Sequence, residues 1–255
     1  MRAPTISVIT VVRNDAEGFL VTARSVLQQS YPNIEWVVVD GLSSDGTTDY
    51  VRQLEPDIGR MIIEQDQGIY DAMNKGTRAA RGDWVVFMNA DDVFYDRTTV
   101  AEYVARLRHN DDIVYSDVQR REDGRLHAYW PPTLYWMGML FDHQTAFVRR
   151  QLCERLPFDT SLRISGDLDF FARARLAGCR FRKLHWLIGS IKPFESGASV
   201  PYFERQVERI KTLTRHFDHP ELVPRLRGEF VNACRKGAID QQTCDALTAI
   251  LDGGA

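Results

Sequence analysis

Trp84-Val85-Val86-Phe87-Met88-Asn89-Ala90-Asp91-Asp92-Val93-Phe94 decides how the rest of this chain is read. An unbroken apolar run with β-branched members marks a strand buried on both faces, the kind that lies in mostly parallel sheets with helices on either side. The run breaks abruptly, leaving Asn89, Asp91 and Asp92 at the carboxyl end of the strand, where open α/β sheets place their ligands. Adjacent carboxylates repel and are costly to desolvate, so a cation or an array of donors is the usual reason to find them there. Oxygen ligands of this type suit Mg2+ or Mn2+, with substrate phosphates completing the shell. An acidic turn that merely ends a strand is the alternative reading.

Working outward toward the N-terminus, Thr5 to Val12 alternates β-branched and small polar residues and stops at Arg13-Asn14-Asp15, a first strand and its exit loop. Phe19, Ala23, Val26 and Leu27 recur at helical spacing between Ala16 and Gln29. Ile34 to Val39 is a second strand finishing at Asp40. In the turn-rich loop from Gly41 to Thr48, Asp45 or Thr47 is placed to cap the helix that continues through Val51 and Leu54. Arg60 to Glu64 supplies a third strand, and Gly68 to Arg81 a helix with Ile69, Ala72, Met73 and Ala80 on one apolar face. The alternation predicts an α/β fold with a doubly wound, mostly parallel sheet. Its strand ends at Arg13, Asp40, Gln65 and Asn89 then open on one edge.

No Gly-x-Gly-x-x-Gly follows the first strand, which argues against a dinucleotide and for a mononucleotide held by side chains. On that reading Asp40 accepts from a base N–H, and Asn89 and Asp91 sit where a sugar hydroxyl and a metal-bound diphosphate would lie. Asp40 as a simple strand-end turn residue is the alternative.

Composition narrows the class. The 255 residues suffice for one sizeable core, at 44% hydrophobic and 26% charged. Thirty-two basic against thirty-five acidic side chains leave a net charge of -3, which gives no electrostatic warrant for a nucleic-acid partner. Cys153, Cys179, Cys234 and Cys244 lack the close spacing of a zinc or redox motif, and Met1-Arg2-Ala3-Pro4 runs into a strand instead of a signal peptide. The expectation is reduced thiols in the cytoplasm. No apolar run reaches the roughly 20 residues of a membrane-spanning helix.

Past Asp92 the pattern loosens into a less regular half. Val100, Tyr103, Val104 and Leu107 mark a helix, Ile113 to Ser116 a short strand, and Arg120 to Gly124 a charged turn. Trp130, Pro131, Pro132, Tyr135, Trp136, Met137, Met139, Leu140 and Phe141 read either as core or as a lip for a sugar or lipid-linked acceptor. His143 to Val148 returns as a strand, and Gly166 to Gly178 is a helix with Leu168, Phe171, Ala172 and Leu176 on its apolar side. Asp167 and Asp169 occupy its first turn, where the macrodipole favours carboxylates. Phe181 to Leu187 is a further strand. Phe203, Val207, Ile210, Leu213 and Phe217 mark an amphipathic helix, and shorter helical stretches run on to Leu251. Arg205, Arg209, Lys211, Arg215, Arg225, Arg227, Arg235 and Lys236 form a local basic excess, read as a solvated face or as a contact for anionic lipid.

Val38-Val39-Asp40-Gly41-Leu42-Ser43-Ser44-Asp45-Gly46-Thr47, Asp66-Gln67-Gly68-Ile69-Tyr70-Asp71-Ala72-Met73-Asn74-Lys75-Gly76 and Phe87-Met88-Asn89-Ala90-Asp91-Asp92 resemble, in order and at matching intervals, the signatures of the family-2 inverting glycosyltransferases with the GT-A fold. The resemblance runs from Thr5 to about Ser199 and includes Ser165-Gly166-Asp167-Leu168-Asp169-Phe170. It implies a Rossmann-like nucleotide half, 1–95, and an acceptor half, 96–199, with 200–255 as a helical extension. It also implies transfer from a UDP-, GDP- or dTDP-sugar to a saccharide or lipid-linked acceptor, as in cell-surface polysaccharide or glycolipid biosynthesis. The enzyme would be cytoplasmic, with peripheral contact at the inner membrane surface left open.

Donor contacts are implied for Thr10, Arg13, Asp40, Asp66, Lys75, Asn89 and Ala90, metal ligation for Asp91 and Asp92, and the general base for Asp167. Asp169, two residues further round the helix, points elsewhere. The family's Asp-x-Asp motif often begins with Asp where this chain has Asn89, so metal binding rests mainly on Asp91, helped by Asp92 and the donor diphosphate. An acceptor-side neighbour is implied near His143, although a single His at a strand start is usually satisfied structurally. Phe194-Glu195-Ser196-Gly197-Ala198-Ser199 resembles a loop that closes over the donor. The rivals are a non-catalytic nucleotide-sugar or carbohydrate binding module and a nucleotidyltransferase.

Overall fold

The computed structural model describes residues 2–120, 124, 126–127, 141–192 and 201–252. The proposed aromatic lip, apart from Phe141, and the 194–199 loop lie outside the described residues. Four strands, β1 (Ile6–Val12), β2 (Ile34–Asp40), β3 (Arg60–Ile63) and β4 (Trp84–Phe87), lie parallel in the order β3-β2-β1-β4. Between them run α1 (Ala16–Leu27), α2 (Thr47–Gln53) and α3 (Ile69–Ala79).

Alternate residues of each strand enter opposite cores. Ile9, Val11, Val37, Val39, Val85 and Phe87 pack with Tyr70 and Met73 of α3. Val8, Val12, Trp36, Val38 and Val86 pack with Phe19, Ala23 and Val26 of α1 and Val51 of α2. Each such side chain stabilises the fold by about 1.5–3 kcal/mol on full burial, which is why the central strands read as continuous apolar runs. Helix α3 approaches β1 so closely that a Cβ at Gly76 would come 2.4 Å from Ile9 Cγ2. The α3 register differs from the expected face: Ile69, in the first turn, is exposed and Tyr70 is buried in its place. Neither Asp45 nor Thr47 is the N-cap of α2, a position held by Gly46 at φ 97, but Asp45 Oδ1 accepts from Thr47 N at 3.0 Å and so satisfies the first free N–H.

The sheet continues as β4-β8-β6-β9-β5, formed by β5 (Val93–Phe94), β6 (Ile113–Arg120), β8 (Phe147–Arg149) and β9 (Phe181–Lys192), with β7 (Leu126–His127) paired to β6. Strand β8 is antiparallel to both neighbours, so the sheet is parallel in its first half and mixed in its second. Helices α4 (Thr99–Arg106), α5 (Arg150–Arg155) and α6 (Gly166–Leu176) complete this half. The strand expected from His143 begins later, at Phe147, because Asp142 O accepts from both Thr145 N and Thr145 Oγ1 and folds 143–145 into a short 3-10 turn. The halves are stitched by Asn74 of α3, which donates to Phe158 O and accepts from Phe158 N, both at 2.9 Å.

Helices α7 (Tyr202–His216), α8 (Leu222–Arg235) and α9 (Gln241–Leu251) bury Ile210, Leu213, Leu226, Phe230 and Leu247 in a separate cluster that also takes Leu168 and Ala172 of α6. Helix α6 is thus covered on two sides, with Phe170, Phe171 and Ala174 turned to the sheet and Leu176, expected on the apolar side, exposed. Much of the expected basic excess is neutralised internally: Arg209 and Arg225 pair with Glu229, Arg215 with Asp159, and Arg227 with Asp252. The four cysteines are free thiols. Among the described residues no helix is long and apolar enough to cross a membrane.

Candidate active site

The carboxyl edge of the parallel strands gathers the strand-end turns, but several side chains expected to face a ligand there are turned inward. Asp40 is fully buried; its Oδ1 accepts from Ser43 N (3.1 Å) and Ser43 Oγ (2.5 Å), and its Oδ2 from Thr48 Oγ1. Its carboxylate accepts three hydrogen bonds and orders the 41–48 loop. Thr10 is likewise buried mid-strand, where its Oγ1 accepts from Trp36 Nε1 at 3.0 Å. Lys75 donates to Gln65 O and pairs with Glu64 (3.0 Å) and Asp71 (3.3 Å), so its charge is spent beside β3 and not on a phosphate. Burial would lower the Lys75 pKa, but the two carboxylates outweigh it and hold the ammonium above its ordinary value.

Arg13 and Asp66 do remain at the edge. The Arg13 side chain is 55% exposed, with Nη1 at 3.9 Å from Asp66 Oδ1, while Asp66 Oδ1 accepts from Gly68 N. A Cβ at Gly41 would stand 2.1 Å from Asp66 Oδ2, so the glycine lets these two loops meet.

The turn after β4 is held from α1. Thr22 Oγ1 lies 2.9 Å from Asn89 O and 2.8 Å from Asp92 O, and Asp91 N donates to Gly18 O. Asp91 adopts φ 71, a left-handed conformation that Asp tolerates better than most residues. Ala90 contributes backbone, donating N–H to Val11 O, and its methyl group packs against the core. Asp92 points inward, contrary to expectation: it is 5% exposed and accepts from Asn89 N (3.1 Å) and Gln144 Nε2 (3.3 Å). Burial pushes its carboxyl up to about 6, against the opposing pull of His143.

Asn89 is nearly buried, yet its Oδ1 has no hydrogen-bond partner, and neither does Gln144 Oε1. Such orphaned acceptors are rare and call for a specific reason. An oxygen donor at Asn89 beside the Asp91 carboxylate is a chemically suitable start for a hard divalent cation. Among the described residues no group of three or more His, Cys, Asp or Glu is placed to hold a metal ion.

His143 connects this turn to the other carboxylate. Its Nε2 lies 3.1 Å from Asn89 Nδ2 and 3.8 Å from Asp92 Oδ2, and its Nδ1 lies 3.4 Å from Asp167 Oδ2. Burial alone would lower the imidazole pKa; the hydrogen bond to Asp167 and the charges of Asp92, Asp167 and Asp142 raise it overall. Asp167 sits in the first turn of α6, with Oδ1 accepting from Leu168 N and 3.5 Å from Tyr70 Oη. Tyr70 also donates to Ile164 O, and burial followed by the Asp167 charge keeps its phenol protonated.

Asp169 faces away from this cluster. It is 2% exposed and bonded to Arg173 Nε and His216 Nε2, each at 2.7 Å, which makes it an anchor between α6 and α7.

Asn89, Asp92, His143 and Asp167 therefore come together; Arg13, Asp66 and Asp91 share the edge; Thr10, Asp40 and Lys75 serve the scaffold. The roles of Tyr70, Asn74 and Gln144 were not assigned from the sequence, since they depend on partners 94, 84 and 52 residues away.

A family model described as Glycosyl transferase family 2 matches residues 7–167. The chain is 31% identical over 229 residues to a PGL/p-HBAD biosynthesis glycosyltransferase of Mycobacterium bovis (strain BCG / Pasteur 1173P2), covering 84% of this chain and 87% of that one. Among solved structures it is similar to the mannosyltransferase PcManGT from Pyrobaculum calidifontis in complex with GDP-Man and Mn2+, with a TM-score of 0.66, 23% identity, and coverage of 100% of this chain and 77% of the other. S. aureus TarS 1-349 in complex with UDP gives a TM-score of 0.64 at 18% identity, covering 85% and 73%. At these identities the structural likenesses speak for the fold.

Proposed function

The chain belongs to glycosyl transferase family 2 and has the GT-A fold, and on that premise we propose that this glycosyltransferase moves a sugar from a nucleotide-sugar donor to a hydroxyl acceptor with inversion, assisted by Mg2+ or Mn2+. The observation that carries this reading is the continuous polar path from Asn89 through His143 to Asp167, which joins a strand-end acidic turn to a partly exposed carboxylate on a separate helix.

Asp91, with Asn89 Oδ1, would hold the cation. When bound, such an ion stabilises the charge that gathers on the departing diphosphate. Arg13, beside Asp66, places a positive charge at the edge where the donor enters. The Asp167 carboxylate takes the proton of the acceptor hydroxyl as that oxygen attacks the anomeric carbon, a step worth roughly 10²- to 10⁴-fold for a well-placed base. Leu168 N donates to one oxygen of that carboxylate and His143 Nδ1 faces the other at 3.4 Å, and a single displacement inverts the anomeric centre. Residues 1–199 form the catalytic domain on this reading and 200–255 an extension, which the separate apolar cluster of α7–α9 supports. A role in glycolipid or polysaccharide biosynthesis is supported by the name of the mycobacterial relative.

A thermal-shift panel of UDP-, GDP- and dTDP-sugars with and without Mn2+ identifies the donor, since a ligand that binds the native state raises its apparent stability. With that donor, Asp167→Asn should lower acceptor transfer by roughly 10² or more and leave nucleotide and metal binding intact. Transfer near the wild-type rate in Asp167→Asn would remove the base assignment. Binding of donor without release of nucleoside diphosphate by the wild-type protein would instead favour a binding module, and release of pyrophosphate a nucleotidyltransferase.

A further inference from the structure

The family match ends at Asp167, so α7–α9 fall outside it, yet α7 reaches back to the loop that carries Asp167. Glu208, in the middle of α7, accepts from three successive main-chain N–H groups: Oε2 from Arg163 N at 3.0 Å, and Oε1 from Ile164 N at 2.8 Å and Ser165 N at 2.6 Å. Ser165 is the N-cap of α6 and makes no side-chain cap bond, so the acceptor for this approach to the helix comes from α7. Tyr70 holds the same segment from the opposite side, through Ile164 O and through a ring so close that a Cβ at Gly166 would approach it to 2.6 Å. Just beyond Asp167, Asp169 is tied to His216 at the end of α7. Helix α7 therefore grips the main chain two residues before Asp167 and the side chain two residues after it.

Successive N–H groups pointing the same way form an anion-holding concavity that one carboxylate can satisfy. Without Glu208 these donors would turn toward water, and the peptides from Arg163 to Ser165 would rotate. Gly166 and Asp167 follow directly in the chain, so that rotation moves the Asp167 carboxylate relative to His143.

We propose that Glu208 is a positioning residue for the transfer reaction: it fixes the 163–165 main chain and thereby the placement of Asp167, which makes the C-terminal helices part of the catalytic apparatus. The inference rests on Asp167 being the general base. A displacement of about 1 Å in a reacting group costs on the order of 10²-fold in rate, so loss of Glu208 acts on kcat.

The test compares Glu208→Ala, Glu208→Gln, Asp167→Asn and, as a control in the same helix, Arg209→Ala, which breaks the pair with Glu229 and leaves 163–165 alone. Hydrogen exchange of the 163–165 amides is measured together with kcat and donor KM for the nucleotide sugar selected by the thermal-shift panel, each corrected for the folded fraction. Glu208→Ala is expected to speed exchange at these amides and to lower kcat by roughly 10- to 100-fold with donor KM unchanged. Glu208→Gln should recover part of kcat, because its amide oxygen still accepts from Ile164 and Ser165. Arg209→Ala should lower Tm and keep the wild-type kcat.

Wild-type kcat in Glu208→Ala, or a kcat loss matched by Arg209→Ala at equal loss of Tm, overturns the proposal. Should Glu208→Ala fail to fold, a wild-type kcat in Glu208→Gln with accelerated exchange at all three amides, Arg163, Ile164 and Ser165, overturns it equally. An inactive Asp167→Asn beside a fully active Glu208→Ala defeats this inference alone; an active Asp167→Asn defeats the base assignment on which it rests.

Discussion

Two strand-end turns on the same edge look alike in sequence and differ in their state of satisfaction. After β2, Asp40 spends both oxygens on Ser43 and Thr48, and the turn closes on itself. After β4, Asp92 turns inward in a comparable way, but Asn89 Oδ1 stays without a partner and Asp91 is carried round into the left-handed region beside it. On the proposed reading, a polar strand end serves a ligand where the turn leaves an acceptor that the protein itself does not use, and serves the scaffold where its acceptors are bonded within the turn.

The contrast makes substitutions in the two turns separable. Asp91→Ala should have the largest effect, a loss of roughly 10²-fold or more in transfer together with the Mn2+-dependent increment of nucleotide affinity. Its stability should move by only about 1 kcal/mol, mostly because Ala tolerates the left-handed conformation less well. Calorimetric titration of UDP and GDP with and without Mn2+ measures this, and an unchanged metal increment would erase the difference between the turns.

Asp40→Ala should act on stability instead, costing roughly 1–3 kcal/mol in urea unfolding, since the half-buried donors of Ser43 and Thr48 lose their acceptor. Weaker nucleoside binding at undiminished stability would show that Asp40 faces a ligand after all. Asp92→Asn should have the smallest effect, about 1 kcal/mol or less, because an amide preserves shape and one accepted bond and relieves the burial of a charge. A loss of metal-dependent binding as large as that of Asp91→Ala would return Asp92 to the set of ligands.

The parallel half of the fold was legible because its signal is local. Two-sided burial writes nearly continuous apolar runs in β2 and β4 and an alternation of β-branched and small polar residues in β1, and the three patterns break at Asp40, Asn89 and Arg13 respectively. The candidate site was legible as a set of turns but not as a set of roles. Lys75 and Thr10 carry the right chemistry in the right motifs, yet Glu64, Asp71 and Trp36 take up their polar atoms. His143 was read as the start of a strand because a 3-10 turn made by Asp142 and Thr145 leaves no periodic trace, and its bridging role needs Asn89 and Asp167, 54 and 24 residues away. The two-sided packing of α6 was hidden for a related reason: a helix covered by both a sheet and a helical cluster loses the single apolar stripe by which amphipathic helices are recognised.

The order of the sheet bears on how this protein behaves at high concentration. Its longest members, β6 and β9, pair with each other along most of their length, while among the described residues the path ends at β3, with four residues, and β5, with two. Unpaired borders are where one chain can add itself to another and begin a fibril, and a short border offers few free backbone groups to template that growth. Placing the most β-prone segments inside and the briefest outside protects the native state against edge-to-edge self-association; the hazard is confined to molecules in which β6 or β9 has been stripped of its neighbours, as during synthesis or heating.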